Sequence, residues 1–486
     1  MKKIDCIILV LLSALLWTNC NDPKLQVEED SPQDPTLPKV TNLVFPDVQH
    51  DIQNVEQDFQ GPIDNLAWNT FIALNWPASI RPDQRGVPDR NNYIGGFSAG
   101  GFNPTVLPAG PTVWETFKPT NDVFLTPYAV PDTSFNSPPV VPSACGSGKF
   151  LARRSKISDI VDETQQAFSD APLIDQNGNY VWYEVLYNEE AFDYVIDNKF
   201  YNANNQKGKV IDFPAGDNET TVSGAIRVKA AWKIFDWTTE AFKKEYFYLS
   251  KGYVYDVDNN TCDTATLALV GLHLTHKTKS RPEWVWATFE HMYNCPDSIG
   301  WPALPAGWKK YSFNDPSKGG PYNVKPKKGD KTPVQVLRVT PIPGAEGLVN
   351  TREINETYQN VLKGFNDKSV WQYYMLVDAQ WPSAPNDKKT FGGPTPTFLA
   401  NTVIETYFQG PTQAGGPPHS CMGCHGKYAS KTDFGFQLSG ASSPHTDLIN
   451  ESGAQSRTTF FSFDQGAGPV VEEDETLGDE LLGGKL

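Results

Sequence analysis

With 486 residues, 39% of them hydrophobic, and with 13 Trp, 19 Tyr and 27 Phe, the chain has material for two or three domains, or for one large domain with an appendage, around an aromatic core. Its formal net charge of −16 argues against charge-driven binding to nucleic acid or to an anionic membrane surface, and no Gly-rich phosphate loop or basic stripe offsets it. The same charge favours a protein partner that presents a basic docking patch.

The first residues, "MKKIDCIILVLLSALLWTNC", predict an export signal over residues 1–20: Lys2 and Lys3 form the charged start, and a short apolar run from Ile7 to Trp17 follows. A cysteine directly after such a run is the pattern of a bacterial lipoprotein, with Cys20 as the lipidated residue. The other reading is an ordinary secretory peptide cut nearby. Either places the protein in the bacterial cell envelope, facing the periplasm or the cell exterior, and leaves an N-terminal lipid as the only membrane contact. Residues 21–60, rich in Pro, Asp and Glu, predict an extended tether.

A body over residues 61–390 follows. Residues 64–79, "DNLAWNTFIALNWPAS", predict a helix capped by Asp64 or Asn65 and stopped by Pro77. Residues 86–150 are Pro- and Gly-rich and predict irregular cover. "AIRVKAAWKIF" alternates with Ile226, Val228, Ala230, Trp232 and Ile234 on one side and Arg227, Lys229 and Lys233 on the other. With "EYFYLSKGYVYDV", "TATLALVGLHLTHK" and "EWVWATFEHMYN" it predicts an antiparallel meander, and "PVQVLRVTPIP" predicts a further strand. "NTREINETYQNVLKGF", "SVWQYYMLV" and "LANTVIETYFQ" show helical spacing. Strands grouped before helices predict an α+β fold, an antiparallel β-rich body joined to a helical C-terminal region.

Of seven cysteines, Cys6 and Cys20 belong to the signal and Cys421 and Cys424 to the motif below. Cys145, Cys262 and Cys295 remain for disulfide chemistry. Hairpin pairing of the strands that Cys262 opens and Cys295 follows makes Cys262–Cys295 the expected bridge.

Residues 391–470 contain "SCMGCHG". C-x-x-C-H is the attachment signature of a c-type haem. On a helical turn two thiols three residues apart share a face and can form thioethers with the porphyrin vinyl groups, and His425 then offers its imidazole to the iron. A zinc site from His419, Cys421, Cys424 and His425 is the competing reading, but a second separated pair of ligands is missing. Methionine occurs only at positions 1, 292, 375 and 422, so nothing downstream completes the iron as in a small cytochrome. His50 falls in the tether, His419 sits too close to the motif, and His445 reads as part of a polar turn. His273, His276 and His291 remain on the predicted strands, with His273 and His291 the candidate distal ligands and Met292 a weaker one. The acidic residues 471–486 predict a solvated tail.

"WNTFIALNWP", "VKAAWKI", "LVGLHLTHKT", "RPEWVWATFEH", "LRVTPIP", "VWQYYMLVDAQWP", "LANTVIETYFQ" and "SCMGCHG" occur in that order. The series resembles a bacterial cytochrome-c-family group of similar size with a single CxxCH near the C-terminus, and the resemblance covers roughly residues 60–440. It implies one covalent haem c held by Cys421, Cys424 and His425, and puts His273 and His291 inside recurring motifs, His276 less so. Two functions fit: electron transfer to a redox partner, or a haem enzyme of peroxidase or oxygenase type with an open distal position. In the second, His291 would act as a base and Arg281 or Arg338 would stabilise a leaving oxygen. A gas-sensing lipoprotein is a third reading that no residue singles out.

Overall fold

The computed structural model describes residues 46–444 except 53–59, 92–109, 126–127, 147–148, 154–163, 167–170, 257–258, 328, 340–341, 345–349, 366, 385–392 and 410–419. The export signal with Cys20, most of the tether, His419, His445 and the acidic tail therefore lie outside the described residues. In chain order the elements are α1 (Gln60–Leu74), β1 (Lys118–Pro119), β2 (Phe150–Arg153), β3 (Trp182–Tyr187), α2 (Glu189–Asp197), α3 (Ala203–Gln206), β4 (Ile226–Ile234), β5 (Leu249–Asp256), β6 (Thr261–His276), β7 (Val285–His291), α4 (Thr351–Phe365), β8 (Tyr374–Pro382), β9 (Pro394–Thr395), α5 (Cys421–Ala429) and α6 (Phe436–Ser439). All belong to one compact unit, Val44–Leu486. Among the described residues no helix is long and apolar enough to cross a membrane.

The fold is α+β. Its sheet runs β1-β3-β4-β6-β7-β8-β9, every neighbouring pair on this path antiparallel. The 16-residue β6 is its spine: one edge takes β4 over residues 267–276, and the other takes β5 over residues 261–268 and then β7 over residues 271–276. The meander is thus modified, because β5 and β7 lie end to end on one edge of β6 while β4 takes the other. Both faces are covered. Ile226, Val228, Ala230 and Trp232 are buried, and on the opposite side Arg227 is 6% exposed and Lys233 1%.

One face carries α1 and α4. Trp68 of α1 stacks on Tyr358 of α4 at 5.1 Å and meets Phe289 of β7 edge-on at 5.1 Å, while Phe71 stacks on Phe289 at 4.3 Å. Asn355 ties the layer together: its Oδ1 accepts from Trp68 Nε1 (3.0 Å) and from Leu376 N (2.9 Å), and its Nδ2 donates to Leu376 O (2.8 Å). α1 begins four residues before the expected cap. Asp64 is an interior residue, buried beside Asp378, and Gln60 Nε2 donates to both carboxyls, at 2.8 and 3.0 Å. Burial raises both carboxyls well above the ordinary carboxylate range, and the charge of Asp64 pushes Asp378 further. Residues 51 and 52 of the expected tether pack on the body, where Ser280 N donates to Asp51 Oδ2 at 3.0 Å and Ile52 is buried.

Four expectations are corrected. The described residues of "PVQVLRVTPIP" form no strand, only one bridge at Arg338: Val334 N, Val336 N and Arg338 N donate to Ile174 O, Phe313 O and Pro296 O, three separate segments, which satisfies the backbone without a ladder. "SVWQYYMLV" gives a single 3₁₀ turn and then β8, whose nine residues are all buried, because aromatic and β-branched side chains suit a strand covered on both faces. "LANTVIETYFQ" is a chain of turns with one 3₁₀ turn at Thr406–Phe408. Here side chains compete with a helix for the backbone: Asn401 N donates to Glu405 Oε2 and Val403 N to Asn401 Oδ1.

The fourth correction is the disulfide, which joins Cys145 to Cys262, with Cα atoms 5.1 Å apart. Cys295 is a buried free thiol. The reason is register. β7 pairs only with residues 271–276 of β6, so Cys262 lies roughly 30 Å back along the strand from Gly271.

Two outcomes follow. Non-reducing peptide mapping will recover Cys145 linked to Cys262 with Cys295 alkylatable only after unfolding; a Cys262–Cys295 peptide would overturn the register argument. The buried carboxyls titrate higher in the folded chain than at the unfolded value near 3.9, so the stability they contribute is complete below that value and is lost as pH rises through the folded values. Asp378→Asn removes one titration, so the loss of stability with rising pH becomes shallower when chemical denaturation is followed as a function of pH.

Candidate haem-attachment site

Register places Tyr187, Arg227, Thr275, Trp286 and Gln380 in one row across β3, β4, β6, β7 and β8. The next row holds Val185, Lys229, His273 and Thr288, ending at the β8 irregularity where Asp378, in register with Thr288, turns instead to Gln60 of α1, and the third holds Tyr183, Ala231, Gly271, Glu290 and Met375. Because side chains alternate along a strand, the three rows share the face opposite α1. Residues 401–405 cover the third row. Asn401 Nδ2 donates to Thr288 Oγ1 (2.8 Å), and a Cβ on Gly271 would stand 2.6 Å from Val403 Cγ2, so only glycine lets this segment approach.

α5 covers the first row. Ser420 caps it, its Oγ accepting from Gly423 N at 3.0 Å. The motif is thereby helical, and Cys421 and Cys424 fall on one side of its first turn. Met422 N donates to Gln380 Oε1 at 2.7 Å, and its fully buried side chain docks the helix on β8. Cys421 rests on an apolar cluster of Ile342, Met375, Val377 and Leu399, which Met292 also borders. Burial pushes the Cys421 thiol well up and the Cys424 thiol to about 12, so both are held as protonated thiols.

His425 is the most constrained group. Its ring lies 4.4 Å from Trp286 and 4.5 Å from Phe436, and its Nδ1 donates to Phe434 O at 2.7 Å. Burial lowers its pKa to about 3, with Arg227, Lys229 and His273 pushing the same way, so the imidazole is neutral. A neutral ring with Nδ1–H engaged carries its lone pair on Nε2. The carbonyl it uses belongs to a turn in which Asp433 (φ 49°) and Phe434 (φ 63°) are both left-handed. Such residues cost on the order of 1–3 kcal/mol each and persist only where neighbours hold them. Here Lys277 Nζ and Phe213 N donate to Asp433 Oδ2, Arg227 Nη2 donates to Asp433 O (3.2 Å), and Thr432 Oγ1 donates to Ala429 O and Gly435 O. Sequence reasoning missed Trp286, Lys277, Asp433 and Phe434. The one legible trace was "KTDFG", since Asp tolerates left-handed backbone.

The candidate distal histidines separate. His273 lies in the middle row, on the face that meets α5. Its Nε2 donates to Glu405 Oε1 at 2.8 Å, and among the described residues its buried Nδ1 has no hydrogen-bond partner. His291 alternates to the other side of β7 and is fully buried, stacked on Phe247 at 3.8 Å. Its Nε2 donates to Tyr246 O (2.9 Å) and its Nδ1 accepts from Tyr293 N (3.2 Å), so both ring nitrogens are committed. His276 also alternates away, with Nε2 donating to Ser223 O at 2.6 Å. Arg338 is paired with Glu290, and Arg281 lies 5.0 Å over the Trp381 ring. Among the described residues no three His, Cys, Asp or Glu side chains converge on a bare metal ion.

These residues fit a covalent c-type haem on their own chemistry. Two thiols share a helical face, a neutral imidazole has its tautomer set, and a second buried imidazole nitrogen on the facing sheet lacks a partner. Compared with known proteins, the chain matches no family model, no curated protein and no solved structure. Removing the cap tests the local account: Ser420→Ala will cost about 1 kcal/mol of α5 stability, read as roughly fivefold faster deuterium exchange over residues 421–429.

Proposed function

We propose that the chain is an exported monohaem c-type cytochrome, an electron carrier whose haem would be bound through Cys421 and Cys424, with His425 and His273 as the residues that would hold its iron. The observation that carries this reading is the His425 hydrogen bond to Phe434 O, because it commits Nδ1 and leaves Nε2 as the ligand nitrogen. The order of sequence motifs that resembles bacterial cytochrome-c-family proteins supports the same conclusion. When bound, the haem supplies a one-electron ferric–ferrous couple.

The work of this chain is to hold and insulate. Trp286, Phe436 and the strained turn fix the His425 plane. Glu405 orients His273 by accepting from Nε2–H, which leaves the Nδ1 lone pair available, the usual carboxylate–histidine support for a metal ligand. A ligand pair held on a sheet and on a packed helix changes little between oxidation states, which suits electron transfer. The acidic chain favours a redox partner with a basic patch, and the lipoprotein-type N-terminus favours attachment to the cell envelope.

Absorption spectra of the purified protein test the reading. A pyridine haemochrome assay will give one c-type haem per chain, and Cys421→Ala with Cys424→Ala will abolish it. Ferric protein will be six-coordinate and low-spin, unresponsive to cyanide, and the ferrous form will not bind carbon monoxide. His273→Ala will turn the iron high-spin and open it to both ligands. If the unmodified protein already binds both, the haem-enzyme reading with an open distal position replaces this one. If Met292→Leu changes the spectrum and His273→Ala does not, the second ligand is the methionine.

A further inference from the structure

Arg227 and Lys229 stand two positions apart on β4, in the first and second rows of the face that meets α5. Arg227 is buried. Its guanidinium lies 3.9 Å over the Trp284 ring and 4.5 Å from Phe213, with Nη2 on Asp433 O and Nε buried without a hydrogen-bond partner. A Cβ on Gly435 would stand 3.3 Å from Nη2, so the guanidinium is pressed against the turn that follows the attachment helix. Lys229 pairs in register with His273, and its Nζ lies 5.4 Å from the Tyr183 ring.

Among the described residues neither cation makes an ion pair. The carboxylates closest to them in the electrostatics of the site are engaged elsewhere. Asp433 Oδ2 accepts from Lys277 Nζ and Phe213 N, while Glu405 accepts from His273 through Oε1 and from Asn401 N through Oε2. Residues 410–419, which lead into α5, read GPTQAGGPPH and contain no Asp or Glu. A buried cation without an anion is costly, and aromatic faces recover only part of that cost. Two uncompensated positive charges therefore adjoin the one place where the reading above puts a ligand with two carboxylates.

We propose that Arg227 and Lys229 bind the two carboxylates of the haem, turning its carboxylate edge into the body against β4. The charges balance, two cations against two anions, and Arg227 supplies a planar fork suited to a carboxylate. The inference rests on the haem reading of the site and adds the orientation of the ring. It also gives Arg227 two tasks on one side chain, since the same guanidinium holds the Asp433 carbonyl of the turn that aims Phe434 at His425.

The test uses the full-length holoprotein and resonance Raman spectra of the propionate-bending band, with reduction potentials alongside. In the unmodified protein the band will sit away from that of a solvent-exposed haem peptide, as hydrogen-bonded propionates do. This comparison needs no variant, and a band coincident with the free peptide overturns the assignment. Arg227→Gln and Lys229→Gln will each move the band toward the peptide value and lower the potential, because a nearby positive charge favours the ferrous state; the double variant will move both further. Arg227→Lys, which keeps the charge, will hold the potential and change the band. An unchanged band and potential in the double variant would refute the proposal while leaving the haem reading intact. Absence of c-type haem in the unmodified protein would remove both. A free inorganic anion between the two cations is the other source of compensation. It would make the potential depend on phosphate concentration at constant ionic strength, and that result also overturns the assignment.

Discussion

The register of β6 against β4 and β7 is the constraint on which the rest of the molecule depends. Arg227 faces Thr275, which faces Trp286; Lys229 faces His273, which faces Thr288. A slip of one residue along any of these strands would turn its part of both rows toward α1 and bring apolar side chains under α5. The register is well specified because the opposite face carries the aromatic layer of Trp68, Phe71, Phe289 and Tyr358, which tolerates no polar substitute. The site and the core are the two faces of a single pairing decision.

A sheet covered on both sides must neutralise internally whatever charge it carries, and for three of its buried cations this chain does so with local partners. Lys233 is held by Glu240, Arg338 by Glu290 and Lys277 by Asp433, all buried. Asp64 and Asp378 ease the same demand because burial makes them hold their protons to higher pH. Each arrangement also fixes geometry. Thr402 N and Oγ1 donate to Glu290, which seats the segment that carries Glu405 over the third row. Lys277 on Asp433 stabilises two successive left-handed residues that a free loop would abandon. Polar interior groups of this kind add little net stability but specify one conformation, which is what a ligand-positioning turn requires.

The alternation of "AIRVKAAWKIF" and the apolar runs around "GLHLTHK" and "ATFEH" sufficed for the antiparallel core, because period-2 patterning reflects burial directly. The helical expectation for "SVWQYYMLV" and "LANTVIETYFQ" failed for different reasons. The first is apolar enough to serve either state, and only coverage on both sides makes it a strand. In the second, Asn401 and Glu405 side chains satisfy the backbone that a helix would have used. The disulfide failed because spacing along a strand says nothing about how much of it a neighbour spans. His291 and His273 read alike in sequence, each ending an apolar stretch, yet one is locked between two backbone groups and the other keeps a nitrogen without a partner.

Sequence alone brought Cys421, Cys424 and His425 within five positions, the spacing on which the proposed haem attachment rests, and it determined the α+β class. It also bounded the opposing half of the site to a few strand histidines. Tertiary structure decided which of them faces α5, which carbonyl sets the His425 tautomer, and which cations lie beneath the helix without counter-ions. Those choices depend on the parity of strand register and on turns built by residues far apart in the chain. Parity changes with a single bulge, such as those at Ala231/Trp232 and Thr288/Phe289, and a linear pattern does not encode where such a bulge falls.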